Sequence, residues 1–216
     1  MSVKKVIAIN GSPRKTWNTA TLLEAALEGA ASCGAETELV HLYDLEYQGC
    51  TSCFACKSLG GRSLGKCAMR DDLTKVLHKI EQADALLLGS PIYFGALTGE
   101  MRSFLERFLF QYLTYDDARP TSLQKKIPTA LIYTMNFPED TAKAIGYEQS
   151  LGITENALRR IIGPVEVLYV TDTCQFDDYA KYSSAKFDAA AKAARRKEVF
   201  PQDCQKAYDL GAKLIH

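Results

Sequence analysis

Ile7-Ala8-Ile9-Asn10-Gly11-Ser12-Pro13-Arg14-Lys15-Thr16-Trp17-Asn18-Thr19-Ala20 runs from an apolar strand through a polar loop into a helix. Unpaired backbone N–H groups and the positive end of the helix dipole converge at such a helix start, which makes it an anion site. Hydroxyls, amides and the cations Arg14 and Lys15 suit a dianionic phosphate monoester. Rival phosphate chemistries lack their residues. There is no G-x-G-x-x-G for a dinucleotide and no G-K-[ST] for a nucleoside triphosphate. The loop has no cysteine nucleophile, and no acidic pair follows the strand as a phosphoryl acceptor.

A second stretch repeats the arrangement. Ala85-Leu86-Leu87-Leu88-Gly89 is a continuous apolar run, as a buried parallel strand requires. Ser90-Pro91-Ile92-Tyr93-Phe94-Gly95 follows at its carboxyl end, and Thr98-Gly99-Glu100-Met101-Arg102 opens another helix. Ligands of open α/β sheets sit beyond the carboxyl ends of the strands, where the strand order reverses. Both loops belong there, and Pro91, Ile92, Tyr93, Phe94 and Gly95 offer aromatic surface and backbone polar groups to a flat heterocycle.

Strands are predicted at residues 5–10, 38–42, 85–89, 128–133 and 165–170. Helices are expected over 19–33, after Asp71 or Asp72, beyond residue 98, over 154–162 and over 185–215 with a break near Pro201. Residues 111–126 and 137–149 read as long loops, walls over a ligand or subunit contacts. Strands alternating with helices make an α/β protein with a parallel, doubly wound sheet. At 216 residues the chain reads as one domain.

These residues resemble the NAD(P)H-dependent FMN reductases of the flavodoxin-like superfamily, and more closely their iron–sulfur flavoprotein branch. The matching pieces are Gly11-Ser12-Pro13-Arg14 with Asn18-Thr19, then Asp71-Asp72, then Ser90-Pro91-Ile92-Tyr93-Phe94 with Gly99, Phe104 and Arg107. The likeness covers the first half of the chain well and the second half only by alternation of elements. Arg102 stands where the family often has Lys, Glu106 where it usually has Asp, and Trp17 where small polar residues are common. The resemblance implies a five-stranded flavodoxin-like sheet of order 2-1-3-4-5. It also implies bound FMN, and NAD(P)H as the co-substrate that delivers hydride to the flavin before an acceptor (a quinone, a flavin or a redox protein) takes its place. A non-enzymatic FMN and iron–sulfur electron carrier is the alternative. Ser12, Arg14, Asn18, Thr19 and Ala20 are expected at the phosphate and Pro91 to Gly95 at the ring. Thr134, Met135 and Asn136 are expected in a third flavin-facing loop. No side chain is required as a catalytic acid or base, because the cofactor carries the chemistry. Family habit implies a homodimer or homotetramer.

Composition bounds the rest. Twenty-six basic and 26 acidic residues give a formal net charge of zero. Without a basic stripe interleaved with aromatics, nucleic acid is not an expected partner. Met1 to Lys5 lead into too short an apolar run for a signal peptide, and no run approaches the ~20 residues of a membrane span. The expectation is a soluble, cytoplasmic protein.

Seven cysteines in a reducing compartment read as ligands, redox thiols or packing groups rather than disulfides. Cys33 reads as packing. Cys50, Cys53, Cys56 and Cys67 form C-x2-C-x2-C-x10-C in a loop at about 47–70. A 4Fe–4S cluster, a four-thiolate zinc site and redox-active thiols all accept that set. In the iron–sulfur flavoproteins the motif lies between the second strand and second helix, as here, but its last spacing is shorter. Lys57, Arg62, Lys66 and Arg70 are expected to favour thiolate.

Overall fold

The computed structural model describes residues 3–215. The reading of the N-terminal run falls partly on Met1 and Ser2, which lie outside the described residues. Strands β1 (Lys5–Asn10), β2 (Glu36–His41), β3 (Ala85–Tyr93), β5 (Thr129–Thr134) and β6 (Val165–Val170) form a parallel sheet. Its order is β2-β1-β3-β5-β6, and the two-residue β4 (Ala96–Leu97) pairs antiparallel with β3 outside that path. With β4 set aside, this is the five-stranded order expected.

Alternation along the strands builds both faces. Ile7, Ile9, Leu86, Leu88 and Leu131 pack beneath α2 (Asp72–Glu81), α3 (Gly99–Tyr112) and α5 (Tyr147–Ile161). Val6, Ala8, Leu87, Ala130 and Ile132 pack beneath α1 (Asn18–Ser32) and α7 (Phe200–Lys213). Successive residues of a strand face opposite ways, so a continuous apolar run feeds both layers. Each fully buried Leu or Ile contributes about 1.5–3 kcal/mol.

Two close approaches position the site. A Cβ on Gly89 would stand 2.7 Å from Leu23 Cδ1 and 2.9 Å from Thr19 Cγ2, so its absence lets the first turns of α1 lie on β3. Likewise, a Cβ on Gly29 would meet Tyr208 O at 1.9 Å, and one on Gly211 would meet Ala26 O at 1.8 Å. Helices α1 and α7 thus cross backbone to backbone.

Two expectations are corrected. Strand β3 continues four residues past Gly89, through Pro91 to Tyr93, because Pro91 lies at the strand's carboxyl end and a β-hairpin to β4 extends the ladder. Residues 137–149 are not an open loop. They hold α4 (Glu139–Ala144) and the start of α5, which begins seven residues before the expected 154. Pro138 lacks an N–H and sits as the N-cap of α4. As expected, the helix over 185–215 is broken near Pro201, into α6 (Ala189–Glu198) and α7, with Pro201 in the first turn of the second. No helix among the described residues is long and apolar enough to cross a membrane.

Candidate functional site: three loops at the carboxyl edge and a cysteine cavity

The β1–α1 loop is held by backbone geometry and one buried amide. Asn10 is fully buried, and its Oδ1 accepts from the Ser12 N–H at 2.9 Å while its Nδ2 meets His41 Nδ1 at 2.9 Å. Ser12 Oγ in turn accepts from the Arg14 N–H at 3.1 Å. Thr98 Oγ1 donates to Gly11 O at 2.7 Å, tying the loop to the start of α3. Helix α1 begins with Trp17 as N-cap, with no side-chain cap and no acidic residue in the first turn. A fifteen-residue helix thus starts without an anion of its own beside the buried Ser12, Thr19 and Ala20. That donor set fits a phosphate.

The groups on the far wall of this loop, two backbone carbonyls and one side chain, come from 150 or more residues away. Trp17 Nε1 and Asn18 Nδ2 donate to Cys174 O at 3.0 and 2.9 Å. Asn18 Oδ1 accepts from Arg196 Nη1 at 2.7 Å. The Asn18 side chain is therefore committed to the scaffold, which leaves its backbone N–H as the group available to a ligand. Arg14 lies with its guanidinium 4.0 Å from the centre of the Trp17 ring and donates to Gln175 O at 2.6 Å. Lys15 pairs with Asp44 instead of facing the loop.

At the end of β5, Thr134 Oγ1 meets Thr19 Oγ1 at 2.8 Å, so the third loop touches the first. Asn136 Nδ2 donates to Gln175 Oε1 at 3.0 Å, and the buried Lys192 donates to Asn136 O and Asp172 Oδ1, both at 2.6 Å. Gln175 thus joins Arg14 to Asn136. The second loop is a tight hairpin, with Ile92 opposite Leu97 and Tyr93 opposite Ala96. Its two turn residues, Phe94 and Gly95, have φ of 51° and 79°. This is the left-handed pair that a primed hairpin turn requires. Phe94 is fully exposed in a backbone region that bulky residues avoid, and Tyr93 is half-exposed beside it. Ser150 Oγ donates to Gly95 O at 3.0 Å and fixes the tip against α5.

The four cysteines line one small cavity with Arg107, Phe110 and Gln111 of α3. Ser52 and Phe54 adopt φ of 54° and 56°, turning the C-x2-C-x2-C run on either side of Cys53. The Cys50 N–H donates to Glu106 Oε2 at 3.2 Å and the Cys67 N–H to Gln111 Oε1 at 3.0 Å. No three His, Cys, Asp or Glu among the described residues converge as a single-ion site, whereas a tetrahedral zinc draws four thiolates to ~2.3 Å of one point. The expected thiolate-favouring cations act weakly on Cys56. Burial pushes its thiol up despite Lys57, whose Nζ is spent on α3 carbonyls at Phe110, Gln111 and Leu113.

Arg107 is 1% exposed and pairs with Asp71 through Nη1, which also donates to Gln48 O at 3.2 Å. Its Nε and Nη2, and Gln111 Nε2, are buried with no partner. Unpaired buried donors beside four thiols fit a group that brings negative charge.

With this geometry in view, the family model for NADPH-dependent FMN reductases matches residues 4–136. The chain belongs to that family. Among curated relatives, an iron–sulfur flavoprotein of Archaeoglobus fulgidus is 43% identical over 103 residues, 48% of this chain and 48% of the relative. One of Methanocaldococcus jannaschii is 41% identical over 103 residues, 48% of this chain and 51% of the relative. The chain therefore matches about half the length of these relatives. Among solved structures, an NAD(P)H:quinone oxidoreductase of Methanothermobacter marburgensis superposes with a TM-score of 0.73 at 15% identity, covering 100% of this chain and 98% of that one. An FMN-dependent NADH-azoreductase of Bacillus anthracis in complex with FMN gives 0.64 at 13%, covering 99% and 100%. Both share the fold.

The structure brings Ser12, Arg14, Thr19, Ala20, Thr134 and Asn136 into one loop cluster. Asn10, Cys174, Gln175 and Arg196 were not read from the sequence. A polar Asn closing an apolar strand was a usable signal for the first. Nothing local marks the other three, because their role exists only through contacts with residues 14–18 and Asn136.

Proposed function

We propose that this FMN reductase family member is an FMN-dependent oxidoreductase. In this reading it takes reducing equivalents from NAD(P)H and passes them to a quinone, a flavin or a redox protein. The observation that carries the reading is the uncapped start of α1 against the Ser12 loop, at the carboxyl edge of the sheet beside the exposed hairpin at Phe94. Ser12 Oγ and the first N–H groups of α1, from Asn18, Thr19 and Ala20, hold the phosphate, with Arg14 supplying charge at the mouth. Pro91, Ile92, Tyr93, Phe94 and Gly95 flank the ring system, and Thr134 and Asn136 line its other side. When bound, FMN supplies the redox chemistry. The protein binds it, orients it and keeps water and competing acceptors from its buried edge, with no side chain required as acid or base. Assembly as a homodimer or homotetramer belongs to the same reading and rests on the family resemblance.

Titrating the apoprotein with FMN tests this directly. One FMN per chain, followed by bleaching of the visible bands on anaerobic addition of NADH or NADPH, is expected. A protein left colourless after FMN addition refutes it.

The cysteine cavity favours an extension: Cys50, Cys53, Cys56 and Cys67 hold a 4Fe–4S cluster. Its net negative charge suits the unpaired Arg107 and Gln111 donors. When bound, a cluster supplies one-electron transfer, which also keeps the pure electron carrier as a second reading. Anaerobically prepared protein is expected to contain about four iron and four acid-labile sulfide per chain, lost in Cys56→Ala. One zinc per chain refutes the cluster. Failure to oxidise NAD(P)H in the steady state, with FMN and cluster loaded, favours the carrier.

A further inference from the structure

We infer that Arg107 and Gln111 are positioning residues for the group held by the four cysteines, donating hydrogen bonds to its sulfur atoms and setting its reduction potential. The inference rests on the cluster reading above. It goes beyond it by assigning work to two residues of α3 that are not ligands.

The two side chains stand four positions apart on α3, hence on one face of the helix, and both line the cysteine cavity. Each has one half fixed by the protein and the other half left over. Arg107 is anchored through Nη1 to Asp71 and Gln48 O, which leaves Nε and Nη2 without partners. Gln111 is anchored through Oε1, which accepts from the Cys67 N–H at 3.0 Å, and this leaves Nε2 without a partner. The arrangement is directional. Anchoring the acceptor of Gln111 on the backbone of a cysteine turns its donor away from that bond, and anchoring one arm of the Arg107 fork fixes the plane of the other.

A guanidinium with no exposed side-chain surface and two unpartnered nitrogens is costly unless an acceptor meets it. Asp71 satisfies only one arm. Asp71 Oδ1 is also buried without a partner, and the four cysteines line the cavity beside the guanidinium. Donors aimed at cluster sulfurs and at ligating thiolates stabilise the more negative, reduced state, so they raise the potential. The same donors disfavour an apolar or cationic occupant of the cavity.

The test compares Gln111→Met and Arg107→Lys with the parent as anaerobically reconstituted full-length protein. Gln111→Met keeps the volume and removes the donor. Arg107→Lys keeps a cation for Asp71 and removes the planar fork. Three readouts are taken: iron and sulfide per chain, the cluster midpoint potential from an electron paramagnetic resonance redox titration, and the flavin potential. Both variants are expected to load iron and sulfide and to show a lower cluster potential with an unmoved flavin potential. Loaded variants with the parent cluster potential overturn the inference and leave the cluster reading standing. A parent chain without iron and sulfide overturns both. If Arg107→Lys fails to fold, Gln111→Met alone decides.

Discussion

Replacing Phe94 by Asn should make the apoprotein more stable and the holoprotein weaker. Phe94 holds φ 51° at the first turn position of the hairpin, and its ring is fully exposed, so its removal uncovers no core. An L-residue in the left-handed region costs roughly 1–2 kcal/mol, while Asn followed by Gly is a preferred pair for this turn. The apoprotein should gain about 1 kcal/mol, which for a chain of this length raises Tm by about 2–4 °C. The aromatic contact to the ring system lost in the proposed complex is of order 0.5–1.5 kcal/mol, an FMN affinity about two- to tenfold weaker. Apoprotein melting and FMN titration by fluorescence quenching read the two effects separately. An apoprotein melting at or below the parent temperature would refute the strain argument. Unchanged FMN affinity would mean that the strained aromatic serves something other than the flavin.

Arg14→Ala should weaken FMN binding by about one to two decades, the worth of a charged hydrogen bond, and leave riboflavin binding nearly unchanged; equal losses for both ligands count against the phosphate assignment. Asn18→Leu strands Cys174 O and Arg196 and should destabilise the fold by about 1–3 kcal/mol in urea unfolding, with no effect if that clamp is incidental. Gly211→Ala forces a methyl into the Ala26 carbonyl and should cost about 3 kcal/mol or more, seen as a Tm drop of several degrees; a near-neutral result would mean that α7 slides freely on α1. The Lys125 hydrogen bond holds the Asp84 carboxyl below its ordinary range. Its stabilisation is present above the unfolded carboxylate pKa and lost as pH falls through the lower folded value. Lys125→Met should therefore cost under about 1 kcal/mol at neutral pH and nothing below that window, in pH-resolved denaturant titrations at low salt.

Much of the sheet was legible because its strands announce themselves. β1 and β6 match their predicted bounds, and Ala85 to Gly89 marks the central strand, because apolar runs between helices admit few other fates. The hairpin at Phe94-Gly95 was not legible, since Phe in a left-handed turn contradicts the residue preference by which such turns are recognised. The same logic separates the halves of the site. Ser12, Thr19 and Ala20 are local to a strand–loop–helix turn and follow from it. Arg196 and Gln175 act on that turn from a distant segment with no motif of their own. The Arg107 and Gln111 pair shows the limit from another side. Helical spacing puts them on one face, but only atomic packing leaves three of their nitrogens without partners.

The clamp on the β1–α1 loop also sets an order in time. The loop is made within the first twenty residues, yet its far wall comes from Cys174 and Arg196, up to 178 positions later, and α7 must dock on Gly29. At 5–20 residues per second, a ribosome needs roughly 10–35 s to supply those partners. Through that interval the nascent loop exposes its anion-binding amides without Trp17 and Asn18 fixed behind them. In the proposed reading, FMN loading waits for the docking of α6 and α7 rather than for the emergence of the β1–α1 loop.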